Sequence, residues 1–284
     1  MNSIIWTTET ENYKSSLYSN FKKALSSYIG EDLVNVDSIE QLNNCKNLIV
    51  IDEHYTPHRD LITNSKFINL LNKNNIKVII FNTEKIYNSF WDHNLKTQKK
   101  ISKINNLVQF LSDVDDISIL TSPFPNKQYL SKSVEYSSLN DVKKNEVVFY
   151  GQLKGSAYEG RRKILNDFST NIDFPLDVIE SNRTLAYSDY LELISKYKYV
   201  LNPLGAGYFV NIRYFETLLV GSIPIQQLSK KMLGIYKELT LGQSINFSMI
   251  RDLDSINFEN YKPPVFSYYL EDYFYDNQLK SFLD

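Results

Sequence analysis

The chain has 284 residues, with 31 Lys and Arg against 33 Asp and Glu and a net charge of −2 at pH 7. Hydrophobic residues make up 43% and charged residues 23%, the balance of a soluble globular protein long enough for two hydrophobic cores. Near-neutrality excludes a molecule drawn to nucleic acid or an acidic membrane by its global field, and leaves such contacts to local basic patches.

The start, MNSIIWTTETENYK, lacks a basic stretch followed by an apolar one, so no signal peptide is expected. No apolar run approaches the roughly 20 residues of a transmembrane segment. Cys45 is the one cysteine, which excludes an internal disulfide and suits a reducing compartment. A cytoplasmic protein is expected, with peripheral attachment at a membrane left open and the oligomeric state unknown.

In chain order, SIIW, NLIVID, IKVIIFN and ISIL predict strands in the first half, and EVVFY, LDVIE, YKYVLNP, SIPIQ and SINF in the second. Runs apolar throughout, such as IKVIIF, suit strands covered on both faces of a parallel sheet. The segments between them, such as NYKSSLYSNFKKALSSYI, carry helical spacing, so the alternation predicts βαβ units and an α/β class. Ser, Asn, Lys and two prolines between about 122 and 145 read as a linker. It separates a domain at 1–130 from one at 146–266, and the aromatic tail at 267–284 predicts a helix packing across both.

In the first half, LIVIDEHYTPHRD ends a strand and spills Asp52, Glu53, His54, His58, Arg59 and Asp60 into a loop. Ligands of open α/β sheets sit at such carboxyl ends, and a carboxylate or histidine there suits a general base. Asp52, Glu53 and His54 are the base candidates and His58 a poorer one; the plain alternative is a polar loop whose Asp caps a helix. Glu84 in FNTEKIY and Trp91 in WDHN are candidates on the acceptor side, against the simpler roles of helix cap and packing residue. Lys96, Lys99, Lys100 and Lys103 form either a phosphate-contacting patch or a solvated helix face.

In the second half, YKYVL ends at NPLGAG and a helix is predicted from about Asn211, as its N-cap, to Val220. Gly221 then stands where a left-handed C-terminal residue is expected. Ile212, Phe215, Leu218 and Leu219 share the face that buries, while Arg213 and Glu216 lie on a common side of the first turns. Gly205 and Gly207 let backbone approach a ligand, and the helix start favours an anion. The Arg213 fork suits phosphate oxygens, and Glu216 can accept hydrogen bonds from vicinal hydroxyls. A phosphate joined to a ribose diol would satisfy both; a surface Arg–Glu pair worth about 0.3–0.5 kcal/mol is the plain alternative.

The run RYFETLLVGSIPI resembles the donor-binding segment of GT-B glycosyltransferases, close to the group-1 and exostosin-like pattern R-x-x-E-x-L-x-x-G-x-I-P-I. VVFYGQLKGSAYEGRRKIL is similar to the first strand of that family's C-terminal domain and the helix after it, and VIIFNTEKI to a strand end common in such enzymes. The resemblance covers about 146–247 well and the remainder weakly. It implies two Rossmann-like domains whose parallel sheets face each other across a cleft. It further implies that Glu216 binds the nucleotide ribose, that Arg213 and the Gly205–Gly207 loop face the diphosphate, and that Gly151 lies at the cleft with Arg161 or Arg162 near phosphate. Tyr208 occupies a donor-side position where many retaining members carry a glutamate, which leaves the stereochemistry open. A donor site of this kind requires Glu216 to face a groove and not the interior.

The expected activity is transfer of a hexose or pentose from a nucleotide-diphosphate sugar, such as a UDP-sugar, to a hydroxyl of a glycan or lipid-linked saccharide, with no metal and no cofactor. The alternatives are a phage-type enzyme glycosylating hydroxymethylated DNA bases, and a non-catalytic protein that binds a nucleotide-sugar or docks a partner. Asp113-Val114-Asp115 has the form of a GT-A metal signature but more simply begins a turn. The Gly205-Ala206-Gly207 loop invites a dinucleotide reading, yet Val210 stands where the third glycine belongs.

Overall fold

The apolar runs pair as parallel strands in two separate sheets. The computed structural model describes residues 3–6, 34–35, 42–43, 45–52, 62–82, 92–111, 123–125, 142–181, 185–204, 212–230 and 244–262. The chain splits into two compact units, with the main division after Lys127.

The first sheet contains β1 (Ser3–Trp6), β2 (Val34–Asn35), β3 (Asn47–Asp52), β4 (Lys77–Asn82), β5 (Leu107–Leu111) and β6 (Pro123–Pro125) in the order β2-β1-β3-β4-β5-β6. Helices α1 (Ser65–Lys73) and α2 (Asp92–Ile101) belong to the same unit. Leu48, Val50, Val78 and Ile80 form a core with Phe67, Ile68 and Leu71 of α1 and with Ile101 and Ile104. Ile49 and Ile79, which the strand alternation turns to the opposite face, are equally buried. A sheet covered on both faces is why these runs lack polar alternation. Asn64 caps α1 by accepting from the Lys66 amide at 2.9 Å.

Two features differ from expectation. LVQFL forms β5 although the polar Gln109 interrupts its apolar run; the predicted strand ISIL lies outside the described residues. β6 runs as an edge strand beside β5 within the stretch read as linker. An edge tolerates the two prolines because, two residues apart, their missing N–H groups fall on the same side and leave the Phe124 amide for the ladder.

The second sheet contains β7 (Lys144–Gly151), β8 (Leu176–Glu180), β9 (Tyr197–Asn202), β10 (Ile223–Gln227) and β11 (Ile245–Phe247), all parallel, in the order β11-β10-β9-β7-β8. Helices α3 (Glu159–Asn171), α4 (Tyr187–Ser195) and α5 (Ile212–Leu219) connect them. Phe149, Tyr199, Leu201, Ile223 and Ile225 pack with Leu165 and Phe168 of α3 on one face. Val148, Tyr150 and Val200 pack with Tyr190, Leu191 and Ile194 of α4 on the other. Edge strand β8 alternates between half-buried and exposed residues where central β9 is buried along nearly its whole length. The protein is therefore α/β with two parallel sheets. In the order of appearance both begin 2-1-3-4-5, not the 3-2-1-4-5-6 order of a dinucleotide-binding fold.

Lys143, just before β7, joins the ends of two helices. Its ammonium donates to Ser195 O at 2.7 Å, where α4 ends, to Val220 O at 2.8 Å, just past α5, and to Ser222 Oγ at 3.2 Å. A cation at two helix C-termini meets both dipoles and two carbonyls without intrahelical partners. Burial lowers its pKa from 10.5 to about 8. Lys143→Met should destabilise the second unit by about 1–3 kcal/mol, because the carbonyls are left unsatisfied, and a urea midpoint measures it. The unfolded chain binds more protons here between pH 8 and 10.5, so the stability of the native protein gains with pH across that window. The methionine variant should lose that part of the slope.

Candidate functional site

In a 2-1-3-4-5 sheet the strand order reverses between the first and third strands, and ligands bind outside their carboxyl ends. In the second unit these are the ends of β7, at Gly151, and of β9, at Asn202. Arg213 reaches this point from the first turn of α5. A Cβ on Gly151 would lie 2.9 Å from Phe149 Cζ and 3.3 Å from Arg213 Nη2, so any side chain here would press on both neighbours. The guanidinium carbon stands 5.7 Å from the Phe149 ring centroid, and the buried Arg213 Nε has no hydrogen-bond partner. Gly151 and Arg213, from segments far apart in sequence, are thus brought together.

Glu216 departs from expectation. It is fully buried, at 0% exposure, and its Oε2 accepts from the hydroxyl of buried Tyr190 at 2.9 Å. Burial first, and then the Glu216 charge, push the Tyr190 pKa well above its ordinary value, while the Arg213 charge pulls it back. Tyr190 is a neutral phenol between a buried carboxylate and a guanidinium, its ring 5.1 Å from that of Tyr150. The groove-facing position required of Glu216 is therefore corrected. The reason is that α5 packs against β9, β10 and α4, so Tyr214, Thr217, Leu218 and Leu219 are buried along with Glu216, and the helix is covered well beyond the single face its apolar spacing predicts. Its end is as expected: Gly221 has φ 67°, its amide bonds Leu218 O at 3.0 Å, and the Ser222 amide bonds Thr217 O at 2.9 Å.

Arg161 and Arg162 turn back onto the loop after Gly151. Arg161 Nη1 donates to Gln152 O at 3.4 Å, and its guanidinium stands 4.8 Å from the Tyr158 ring centroid. Arg162 Nη1 donates to Leu153 O and, at 2.8 Å, to Gly155 O. The Tyr158 hydroxyl completes the clamp on Gln152 Oε1 at 2.7 Å. Both arginines hold the loop's carbonyls through Nη1. A 3-10 turn at Ser156–Tyr158 delays the start of α3 to Glu159, and this leaves the two side chains within reach of the preceding loop.

Two side chains that sequence reasoning passed over stand beside Arg213's strand ends. Asn202 and Gln226 are register partners on β9 and β10, and Gln226 is in turn the partner of Asn246 on β11. Register partners share a face. Asn202 and Gln226 are fully buried, and neither Asn202 amide atom nor Gln226 Oε1 has a hydrogen-bond partner. Gln226 Nε2 donates to Gln227 O at 2.8 Å, and Asn246 Oδ1 accepts from Ser244 Oγ at 3.0 Å. The signal was an amide ending each of two otherwise apolar strands, YVLN and IPIQ.

In the first unit, Asp52 ends β3 beside Asn82 of β4. β3 is the third strand of that sheet's 2-1-3 reversal. Glu53, His54, His58, Glu84, Trp91, Gly205, Gly207, Tyr208 and Asp113–Asp115 lie outside the described residues. Among the described residues no group of three His, Cys, Asp or Glu side chains is placed to hold a metal, and no helix is long and apolar enough to cross a membrane.

Gly151→Ala tests the close approach. The new methyl must displace Phe149 and Arg213, and the expected destabilisation is about 1–3 kcal/mol. An unchanged urea midpoint would mean that the guanidinium does not rest on this strand end.

No family model matches the chain, and no curated protein does. Among solved structures it is similar to an alpha-glucosyltransferase in complex with UDP and a 13-mer DNA containing a central A:G mismatch, at 12% identity, 89% of this chain, 90% of that chain and a TM-score of 0.47. An alpha-glucosyltransferase complex with UDP and a 13-mer DNA containing an HMU base gives 12% identity, 80% of each chain and 0.48. An NAD+-bound 3-phosphoglycerate dehydrogenase of Entamoeba histolytica gives 12% identity, 89% of each chain and 0.26. Overlaps this loose carry no weight for chemistry; the two parallel sheets establish the α/β class on their own.

Proposed function

We propose that the chain is a glycosyltransferase that takes its sugar from a nucleotide-diphosphate sugar. The observation that carries the proposal is the Arg213 guanidinium against Gly151, which joins two donor-type motifs at the strand reversal of one sheet. A fixed guanidinium with backbone N–H groups at a helix start stabilises the charge that develops on a departing diphosphate, without a metal. Arg213 is assigned to the diphosphate. Buried Glu216 does not meet the requirement of the donor site that the resemblance implied, so the ribose contact is dropped, the proposal rests on Arg213 and Gly151, and Glu216 takes the role of holding Tyr190 beside Arg213. Asp52, Glu53 and His54 remain the candidates for deprotonating the acceptor.

Of the acceptors, DNA is favoured here over a glycan or lipid-linked saccharide. Lys96, Lys99, Lys100 and Lys103 are all exposed along and just beyond α2, and none has an acidic partner among the described residues. A neutral saccharide has no use for such a row, whereas a phosphate backbone does.

Binding of UDP, GDP, ADP or CMP should raise the unfolding temperature, with stabilisation of about 2.7 kcal/mol at a hundredfold excess over Kd; silence across the panel would sink the donor site. Arg213→Ala should weaken nucleotide binding at least about tenfold, the range of one charge-assisted bond of about 1.5–3 kcal/mol. Glu216→Ala should lower stability by about 1–3 kcal/mol by stranding the Tyr190 hydroxyl, and Glu216→Gln should restore it. A well-folded Glu216→Gln protein that loses more affinity than Arg213→Ala would return Glu216 to direct ligand contact. Asp52→Asn should spare nucleotide affinity and lower turnover, and failure to transfer any sugar with nucleotide binding intact would favour a non-catalytic protein.

A further inference from the structure

The first unit gathers positive charge at the end of its sheet opposite Asp52. Lys46 stands just before β3 and Lys77 opens β4, with the Lys77 amide donating to Lys46 O at 2.9 Å. Lys73 closes α1, and Lys99 and Lys100 lie in the last turn of α2. Lys103 follows in the turn to β5, where its carbonyl accepts from Asn72 Nδ2 at 2.9 Å while the Asn105 amide donates to Asn72 Oδ1 at 2.8 Å. The Val78 amide bonds Asn106 O at 2.8 Å. These bonds tie three connections into one ridge along the amino ends of β3, β4 and β5. Lys46, Lys73, Lys99, Lys100 and Lys103 are exposed, and Lys77 is half-buried.

Among the described residues Lys46, Lys73, Lys99, Lys100 and Lys103 have no acidic partner. Residues 42–50, 62–80 and 96–109 contain no aspartate or glutamate. Complementing helix dipoles accounts for last-turn Lys73, Lys99 and Lys100, but not for Lys46 and Lys103, nor for the absence of acids from these segments. In a chain of net charge −2 the segregation creates a local positive field. Among the described residues the exposed large apolar side chains, Val142, Val178 and Met249, all belong to the second unit. Among its described residues the first unit therefore offers no wedge for a bilayer and no stacking platform for unpaired bases. It offers ammonium charges interleaved with exposed Asn74, Asn75 and Asn105, whose amides suit phosphate and sugar oxygens.

We propose that this ridge is a sequence-independent contact for the phosphate backbone of duplex nucleic acid, formed by Lys46, Lys73, Lys99, Lys100 and Lys103. It stands a β3 length, about 20 Å, from the strand end that carries Asp52. A duplex gripped here is held away from the candidate chemistry, as an anchor and not as the reacting stretch. The inference extends the DNA reading of the acceptor but is independent of the donor site.

The test is fluorescence anisotropy of a labelled unmodified duplex with the full chain, from about 50 to 200 mM salt. The native protein should bind at low salt with an affinity that falls as salt rises. Changing Lys99→Gln, Lys100→Gln and Lys103→Gln together should weaken binding at least about tenfold and flatten the log–log salt slope by up to about 3, near 0.9 for each phosphate contact. The UDP-induced rise in unfolding temperature should be unchanged in that variant, so failure at the ridge is separable from failure of the donor site. No duplex binding at low salt, or the same affinity and slope in the variant, overturns the proposal. So does equal affinity for single strands, or lysine-dependent binding to phosphatidylserine vesicles with none to duplex.

Discussion

A guanidinium lies against a strand end where a side chain would crowd it, and the polar groups of α4 and α5 are arranged around that approach. Arg213 occupies its place because Gly151 has no Cβ and because the Phe149 ring supplies an apolar bed. A half-buried cation needs compensation nearby, and Glu216 supplies it through Tyr190, whose hydroxyl bonds the carboxylate. Burial of Glu216 then follows from charge balance. An acid placed on open surface would leave both the phenol and the guanidinium short of a partner.

The surrounding scaffold keeps that cluster in register. Gly221 turns the chain sharply out of α5 through its left-handed conformation, and the Lys143 ammonium ties the C-terminal ends of α4 and α5 together. Because Tyr190 belongs to α4 and both Arg213 and Glu216 belong to α5, the same tie that stabilises the helices holds the three polar side chains in place. Arg161 and Arg162 do comparable work on the loop after Gly151, converting arginine forks into clamps on backbone carbonyls.

The two units divide their charge differently. The second buries Glu216 against Tyr190 and half-buries Arg213 and Lys143, and it also places the unpartnered amides of Asn202 and Gln226 at the ends of adjacent strands. The first leaves Lys46, Lys73, Lys99, Lys100 and Lys103 exposed near the amino ends of its strands, without acids in the same segments. Buried polar groups favour a small, specific ligand whose hydrogen bonds must match. Exposed ammonium groups favour a partner whose charge is repeated and whose sequence is immaterial.

The α/β class, the strands NLIVID, KVIIFN, EVVFY and YKYVLN, the α5 helix and its glycine stop were legible in the chain because each depends on local periodicity or on one residue's backbone freedom. Strand β5 escaped because Gln109 breaks the apolar run, and β6 because prolines read as linker until an edge partner is known. The motifs marked Arg213 and Gly151 separately, while their close approach came from folding. What no local pattern revealed was which side of α5 is covered, since that depends on α4 packing against it from a distant stretch of chain. Spacing assigns a residue to a helix face; only the elements that arrive from elsewhere determine whether that face meets water, and so whether Glu216 can greet a ligand or must serve a neighbour.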